Sequence, residues 1–250
     1  MWENTIKLSL IFVILTFVLS SLAIAGTWID DFNDGDLAGW RMLVCFWRDR
    51  IVVLDEGNWF FENGAIVGGD DNQGKRYDLY TGDMSWTDYI VEVSVKLSKR
   101  LEDCPEDTGV WLIARSQEGE GKIGLNGYVV GMIIWHGFQV LRGGFKYVNG
   151  FDSNNQILAL PSEANRWYRL KINVEKDLIT GFVDDVKVYE LRDGTFTSGL
   201  VGIAVNGVKA TFDDLMVTGP NIPDGGPGHS VNPSRSSVTT WANIKRSASK

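Results

Sequence analysis

Residues 89–97 read YIVEVSVKL, and their alternation is strict: Val91, Val93, Val95 and Leu97 fall on one side, Glu92, Ser94 and Lys96 on the other. A period of two over nine residues is the pattern of a strand with one buried face. A helix would need apolar residues at i, i+3 and i+4 instead. Tyr168, Leu170, Ile172 and Val174 repeat the pattern against Arg169, Lys171 and Asn173. Other period-two or wholly apolar runs cover 109–115, 127–135, 179–183, 186–191 and 200–205. Between such runs stand Asn63-Gly64, Asp184-Asp185, Asp193-Gly194 and Asn206-Gly207, dipeptides suited to tight turns. After residue 25 no segment keeps a helical period. A dozen or so short strands in about 190 residues predict an all-β fold, a two-sheet antiparallel β-sandwich.

Composition narrows the chemistry. The chain has 250 residues, of which 28 are Gly, 10 Trp, 2 Cys and 2 His. Two cysteines build neither a disulfide-dense scaffold nor a four-thiolate zinc site. Two histidines, His136 and His229, far apart in sequence, leave little for a multi-histidine metal centre. A net charge of −8 lacks the basic footprint of a nucleic-acid binder, so no nucleic-acid partner is expected.

The ends differ from the body. Residues 8–25, LSLIFVILTFVLSSLAIA, are almost wholly apolar and close on Ala23-Ile24-Ala25, the small-x-small pattern of a signal-peptidase site. They predict a signal peptide over 1–25 and a secreted, extracytoplasmic mature chain without a transmembrane segment. The alternative is an uncleaved anchor, since about 18 residues just span a bilayer. In an oxidising compartment Cys45 and Cys104 are candidates for a disulfide. Residues 219–233, GPNIPDGGPGHSVNP, hold four of the six prolines and read as a flexible linker. The polar remainder to Lys250 reads as a mobile tail, or as a segment docking a partner through Trp241-Ala242-Asn243-Ile244. Glu3 and Lys7 cancel, and four basic residues against Asp224 leave the tail at +3, so the 26–218 body carries −11.

The body resembles the concanavalin A-like (LamG-like) jelly rolls of secreted bacterial proteins. The resemblance is carried by Asp31-Phe32-Asn33-Asp34-Gly35 with Gly39-Trp40, and by Trp59-Phe60-Phe61-Glu62-Asn63-Gly64. Trp86-Thr87-Asp88-Tyr89, Gly109-Val110-Trp111-Leu112-Ile113-Ala114-Arg115 and Asn126-Gly127-Tyr128 follow in order. Asn165-Arg166-Trp167-Tyr168-Arg169-Leu170 and the closing Phe212-Asp213-Asp214-Leu215 complete it, over about residues 28–218. The resemblance makes Trp40, Trp59, Trp86 and Trp167 framework residues. Within that superfamily the order is also similar to the 3-keto-disaccharide hydrolase domain. Gly127-Tyr128-Val129-Val130 here lacks that domain's carboxylate, and Asp107-Thr108-Gly109 stands where it has Asn-Ser-Gly.

A retaining glucanase of this fold needs two carboxylates about 5–5.5 Å apart. No apolar strand carries the Glu-x-Asp-x-Glu run that supplies them in laminarinase-type families, and Glu118-Gly119-Glu120 reads as a solvated loop. Binding is better supplied, because sugars offer C–H faces to aromatics and hydroxyls to a few polar groups. Val110, Leu112 and Ala114 suit the core, which turns Trp111 and Arg115 toward a concave cleft. Tyr128 and Trp135 on the next strand, and Arg142 on the one after, are candidates to join them. For each aromatic the alternative is burial in the core; for Arg115 it is a structural ion pair. The expected function is therefore a non-catalytic carbohydrate-binding module with its ligand stacked on aromatics of the concave sheet. A hydrolase or lyase acting on 3-keto-glycosides, and a structural or adhesive surface domain, are the alternatives. Asp31, Asp34, Asp213 and Asp214 fall on the first and last strands, where oxygens for a structural Ca2+ could converge. Acidic turn residues are the competing reading there.

Overall fold

The computed structural model describes residues 25–46, 50–52, 58–70, 75–105, 107–119, 122–123, 126–135, 139–148, 151–159 and 161–227. For 43–46, 50–52, 75, 118–119, 122–123, 135, 139–148 and 151–159 the backbone alone is described. Residues 1–24 of the signal peptide expected over 1–25, the segment around Trp241, and both histidines lie outside the described residues.

The described chain is strand and turn, with one 3-10 turn at Leu101–Asp103. The first strands are β1 (Gly26–Asp30), β2 (Arg41–Phe46), β3 (Arg50–Val52), β4 (Trp59–Glu62), β5 (Ala65–Gly68) and β6 (Lys75–Thr81). There follow β7 (Tyr89–Leu97), β8 (Gly109–Ser116), β9 (Glu118–Gly119), β10 (Lys122–Ile123), β11 (Gly127–Trp135) and β12 (Gln139–Val148). The last are β13 (Phe151–Ala159), β14 (Trp167–Glu175), β15 (Leu178–Val183), β16 (Val186–Arg192), β17 (Leu200–Asn206) and β18 (Ala210–Gly219). One sheet runs β16-β15-β14-β7-β18-β5-β4, with β1 also on β18; the other runs β13-β12-β11-β8-β17-β6-β2-β3. All the ladders within both sheets are antiparallel. The fold is the all-β, two-sheet jelly roll of the concanavalin A-like class.

Alternation places the core as the sequence reads. In β7 and β14 every second residue is buried, and β7 aligns Val91, Val93 and Val95 with Ile172, Leu170 and Tyr168 of β14. Asn63 and Gly64 both have positive φ, as do Asp184 and Asp185, so two of the expected turns close the β4–β5 and β15–β16 hairpins. Near the first strand Trp28 meets Trp40 and Trp86 edge-on at 6.3 and 6.0 Å between centroids. Trp59 packs on Phe212. Of the four expected framework tryptophans, Trp167 departs. It is 43% exposed on the outer side of β14, with the Lys96 ammonium over its ring.

Two further expectations are corrected. Cys45 and Cys104 do not come within bonding reach. Cys45 lies in β2, four strands from β11, which is about 19 Å at the usual strand spacing. Cys104 sits at the end of the 3-10 turn beside β11 and β12, and a disulfide needs Cα atoms within roughly 7 Å. Its Sγ instead lies 3.4 Å from the Arg100 carbonyl.

The second correction concerns the proline-rich stretch, whose first part is docked rather than loose. Gly225 donates to the Thr27 carbonyl and accepts from the Ile29 amide, forming a parallel bridge beside β1. The Asp224 carboxylate accepts from the Thr27 amide at 2.9 Å, and Ile222 is buried. Glycine permits this: a Cβ on Gly26 would meet the Ile222 carbonyl oxygen at 1.9 Å, and one on Gly226 the Ile29 oxygen at 1.9 Å. Residues 219–227 are thus a strap of the domain. Three hydrogen bonds at about 1 kcal/mol each and one buried isoleucine predict that truncation after Gly219, compared with truncation after Pro227, costs roughly 3–5 kcal/mol. The Tm should then fall by about 10 °C, measured by calorimetry.

Candidate functional site

Arg115 does not face a cleft with Trp111. Its φ is +49°, and the β17–β8 register shifts beside it, so a bulge turns the side chain off the alternation of β8. The guanidinium is fully buried and works as a clasp. Nε donates to the Thr87 carbonyl at 3.0 Å, and one terminal nitrogen donates to the carbonyls of Lys176 at 2.8 Å and Phe196 at 3.0 Å. The other lies 3.2 Å from the Asp88 carboxylate. The structural ion pair weighed for this residue is what forms.

Tyr128 is likewise structural. It points into the inter-sheet core, and its hydroxyl donates to Asp193 Oδ1 at 2.6 Å. Burial, and then that carboxylate, push the phenol well above its ordinary range, so it remains a donor. Trp135 and Arg142 lie in β11 and β12 as expected, facing Gln139 and Met132 across the ladder; their side chains fall outside the described residues.

Trp111 is on the predicted face, turned away from the sandwich core. With Tyr80, Ile113, Val129, Leu200 and Ala204 it forms a second apolar cluster on the outer side of the sheet. Small residues make room for it: Ala204 and Gly131 are its cross-strand neighbours, and a Cβ on Gly131 would lie 3.0 Å from the indole. Gly202 lets the Tyr80 ring lie across β17 in the same way.

Sequence reasoning missed the polar half of this cluster. Strand β6 reads Arg76-x-Asp78-x-Tyr80 on the outer face and Tyr77-x-Leu79 in the core. Arg76 Nε donates to Asp78 Oδ1 at 2.7 Å, and the Tyr80 hydroxyl donates to Asp78 Oδ2 at 2.6 Å. Both oxygens of a fully buried carboxylate are thereby held. The Arg76 guanidinium lies 5.2 Å above the Trp111 ring, which is only 3% exposed, so the expected open stacking face is taken by the arginine. Beside it, Asn206 stands opposite Arg76 on one side and Gly109 on the other, a diagonal neighbour of Trp111 at about 7 Å. Asn206 Nδ2 donates to the Asp107 carbonyl at 2.6 Å. Its Oδ1 and the Trp111 Nε1 are both buried without a hydrogen-bond partner. An unmatched acceptor and an unmatched donor on one outward face are the features most like a binding site in the described structure. The signal lay in β6: a charged pair alternating with core aromatics.

Asp31, Asp213 and Asp214 are brought into electrostatic contact, while Asp34 is engaged in its own turn, accepting from the Asp36 amide. Among the described residues no group of three or more His, Cys, Asp or Glu is placed to hold a metal ion. Asp31, Asp213 and Asp214 perturb one another. Burial, and then Asp214 and Asp31, push Asp213 up to about 6, while burial and Asp31 also raise Asp214.

Two outcomes follow from these geometries. Arg115→Met strands three carbonyls and should cost about 3 kcal/mol in urea unfolding, whereas Asp88→Asn, whose side chain is 38% exposed, should cost less than about 1 kcal/mol. For Asp213, the folded state binds the proton more tightly than the unfolded chain between pH 4 and 6. Its contribution to stability therefore falls as pH rises through that window and is lowest above it. Asp213→Asn, which keeps the acceptor for the Asp214 amide, should flatten this pH slope and raise stability at pH 7 by about 1–2 kcal/mol after screening, as read from unfolding curves at several pH values.

Solved structures share this architecture. The carbohydrate binding module CBM66 from Bacillus subtilis is 22% identical, with TM-score 0.54, covering 72% of this chain and 96% of that one. A β-glucanase from Bacillus licheniformis is 13% identical, with TM-score 0.55, covering 78% and 98%. A protein of unknown function with a galectin-like fold, also from Bacillus subtilis, is 13% identical, with TM-score 0.55, covering 76% and 94%. At these identities the likeness is one of fold. No curated protein matches the chain. Residues 27–218 match the model of the 3-keto-alpha-glucoside-1,2-lyase-like domain, and with most of its length inside that match the chain belongs to this family.

Proposed function

We propose that this protein is a carbohydrate-binding domain whose ligand is held on the outer face of β6, β17, β8 and β11. The observation that carries this reading is the pair of buried, unmatched polar atoms, Trp111 Nε1 and Asn206 Oδ1, beside Arg76. Sugar hydroxyls both donate and accept, and a ligand that displaces the Arg76 side chain from the ring can reach these two atoms. Leaving such groups bare costs about 1–3 kcal/mol each, which a ligand recovers on binding. The ligand enters against Arg76, and the rigid floor of Gly131, Gly202 and Ala204 holds the aromatic rings in place. Family membership and the fold shared with a carbohydrate binding module support the same class of partner.

The family match also favours a second reading, cleavage of 3-keto-glucosides. Against it stands Asp78, the buried carboxylate of the cluster. Fully buried, with one oxygen on Arg76 and the other on Tyr80, it braces the site. We further propose that the mature chain is secreted.

Affinity electrophoresis against a panel of polysaccharides tests the first reading. At least one should retard the protein, and Trp111→Phe, which keeps an apolar ring but removes the N–H, should weaken retardation about tenfold. Equal retardation in Trp111→Phe and Asn206→Ala, with both variants folded by circular dichroism, sinks the proposal. Turnover of 3-keto-glucosides that Asp78→Asn abolishes would put the second reading in its place.

A further inference from the structure

The inter-sheet core comes to the surface at one end of the sandwich, in a cleft of about 530 Å3. This lies within the roughly 300–1,000 Å3 of small-molecule sites. The cleft is separate from the outer-face cluster: it is floored by Trp28 and Trp86, which belong to the core between the sheets, whereas Trp111 belongs to the cluster outside. Pro223 and Pro227 of the strap also line it.

Each wall is fixed by something already described. Trp86 folds back over Gly82, whose φ is +90°; a Cβ there would meet the indole at 2.5 Å. The residues just after Trp86 are pinned by Arg115 through the Thr87 carbonyl and Asp88. The strap is pinned to β1 through Gly225 and Asp224. Two polar side chains stand among the apolar walls. Asp83 accepts from the Ser85 amide at 2.8 Å, and the Ser85 hydroxyl and amide together hold its carboxyl below the usual range, so it is an oriented anion at neutral pH. Asn221 donates from Nδ2 to the Thr87 hydroxyl at 3.4 Å, and its carbonyl oxygen is an acceptor.

Among the described residues none of the cleft's lining is basic, so an anionic ligand would meet Asp83 with no cation from that lining to offset it. A wholly apolar ligand would offer the exposed Asp83 carboxylate no hydrogen bond. The chemistry that fits is a neutral ring with C–H faces for indole edges and prolines, and adjacent hydroxyls for a carboxylate that accepts two hydrogen bonds.

We infer that this end cleft is a second sugar subsite, taking one or two neutral hexopyranose rings against Trp28, Trp86, Pro223 and Pro227, with Asp83 and Asn221 on their hydroxyls. The inference stands apart from the outer-face reading, since it uses none of the same side chains. It gives the strap a function: the strap makes the domain's end concave.

The test is a titration of the full chain with methyl α-D-glucopyranoside and with maltose, followed by 1H–15N spectra of the indole N–H groups. The Trp28 and Trp86 resonances should shift saturably, in the millimolar range expected for so few contacts. Asp83→Asn keeps the acceptor for Ser85 but loses the charge, and should weaken binding about tenfold. Ala38→Phe, which fills the cleft from its lining, should abolish the shifts. Trp111→Phe should leave them unchanged, which separates failure here from failure of the outer-face site. Unmoved Trp28 and Trp86 resonances overturn the inference. So does an undiminished response in Asp83→Asn, or a response to choline chloride with none to either sugar, which would make the cleft a cation site.

Discussion

A single buried guanidinium organises one end of this sandwich. Arg115 leaves β8 through a residue with φ of +49°, and its donors gather carbonyls from the entry to β7, the turn after β14 and the loop before β17. Even its own amide is used, donating to the buried Tyr89 hydroxyl at 2.8 Å. Loops at a sandwich end carry carbonyls that no ladder satisfies, and a planar fork of five N–H donors can serve several of them at once. Lysine has the charge without the fork, so the substitution would not be conservative here. Asp88 offsets the charge but is partly in water, so the clasp works mainly through its carbonyl bonds.

The outer face of the second sheet depends on a different constraint, the absence of side chains. Gly131, Gly202 and Ala204 form a shallow floor on which Trp111 and Tyr80 lie flat, and a Cβ at Gly202 would meet the Tyr80 ring at 2.7 Å. Large rings over small residues give a dense, rigid surface. Rigidity is what allows Asp78 to stay fully buried with both oxygens held, and what fixes the Trp111 N–H and the Asn206 carbonyl in place. A polar group that cannot relax toward a protein partner waits for one from outside.

What was legible in the sequence follows the same physics. Alternation in 89–97 and 168–174 revealed strands because burial there has a period of two, and Trp111 was placed on its face by that rule. Arg115 was misplaced because a bulge cancels the rule at one residue, and no propensity marks an arginine for positive φ. The framework role that the resemblance implies for Trp167 conflicts with the alternation of β14, which buries Tyr168 and turns its neighbour outward. The strap was read as linker because Pro and Gly signal loops. In 219–227 the glycines serve close backbone approach instead, and only the partner strand reveals that. The Arg76-x-Asp78-x-Tyr80 run went unread because charges on a strand normally mean a solvated face. Here Asp78 is buried under its neighbours and pairs with Arg76 on that face.

The distribution of carboxylates bears on whether the domain binds or cleaves. A group titrating near pH 6 is the sort of acid an active site keeps, and Asp213 is raised to about 6. It lies in β18 of the first sheet, next to Ser94 on the side that turns away from the core. Trp111 and Asn206 face outward from the second sheet. Stacked sheets are about 10 Å apart, and these groups lie beyond them on opposite sides, so no ligand on Trp111 can reach Asp213. The carboxylate that does adjoin Trp111, Asp78, is held at both oxygens. Asp213 and the Trp111 cluster thus belong to opposite outer faces of the sandwich.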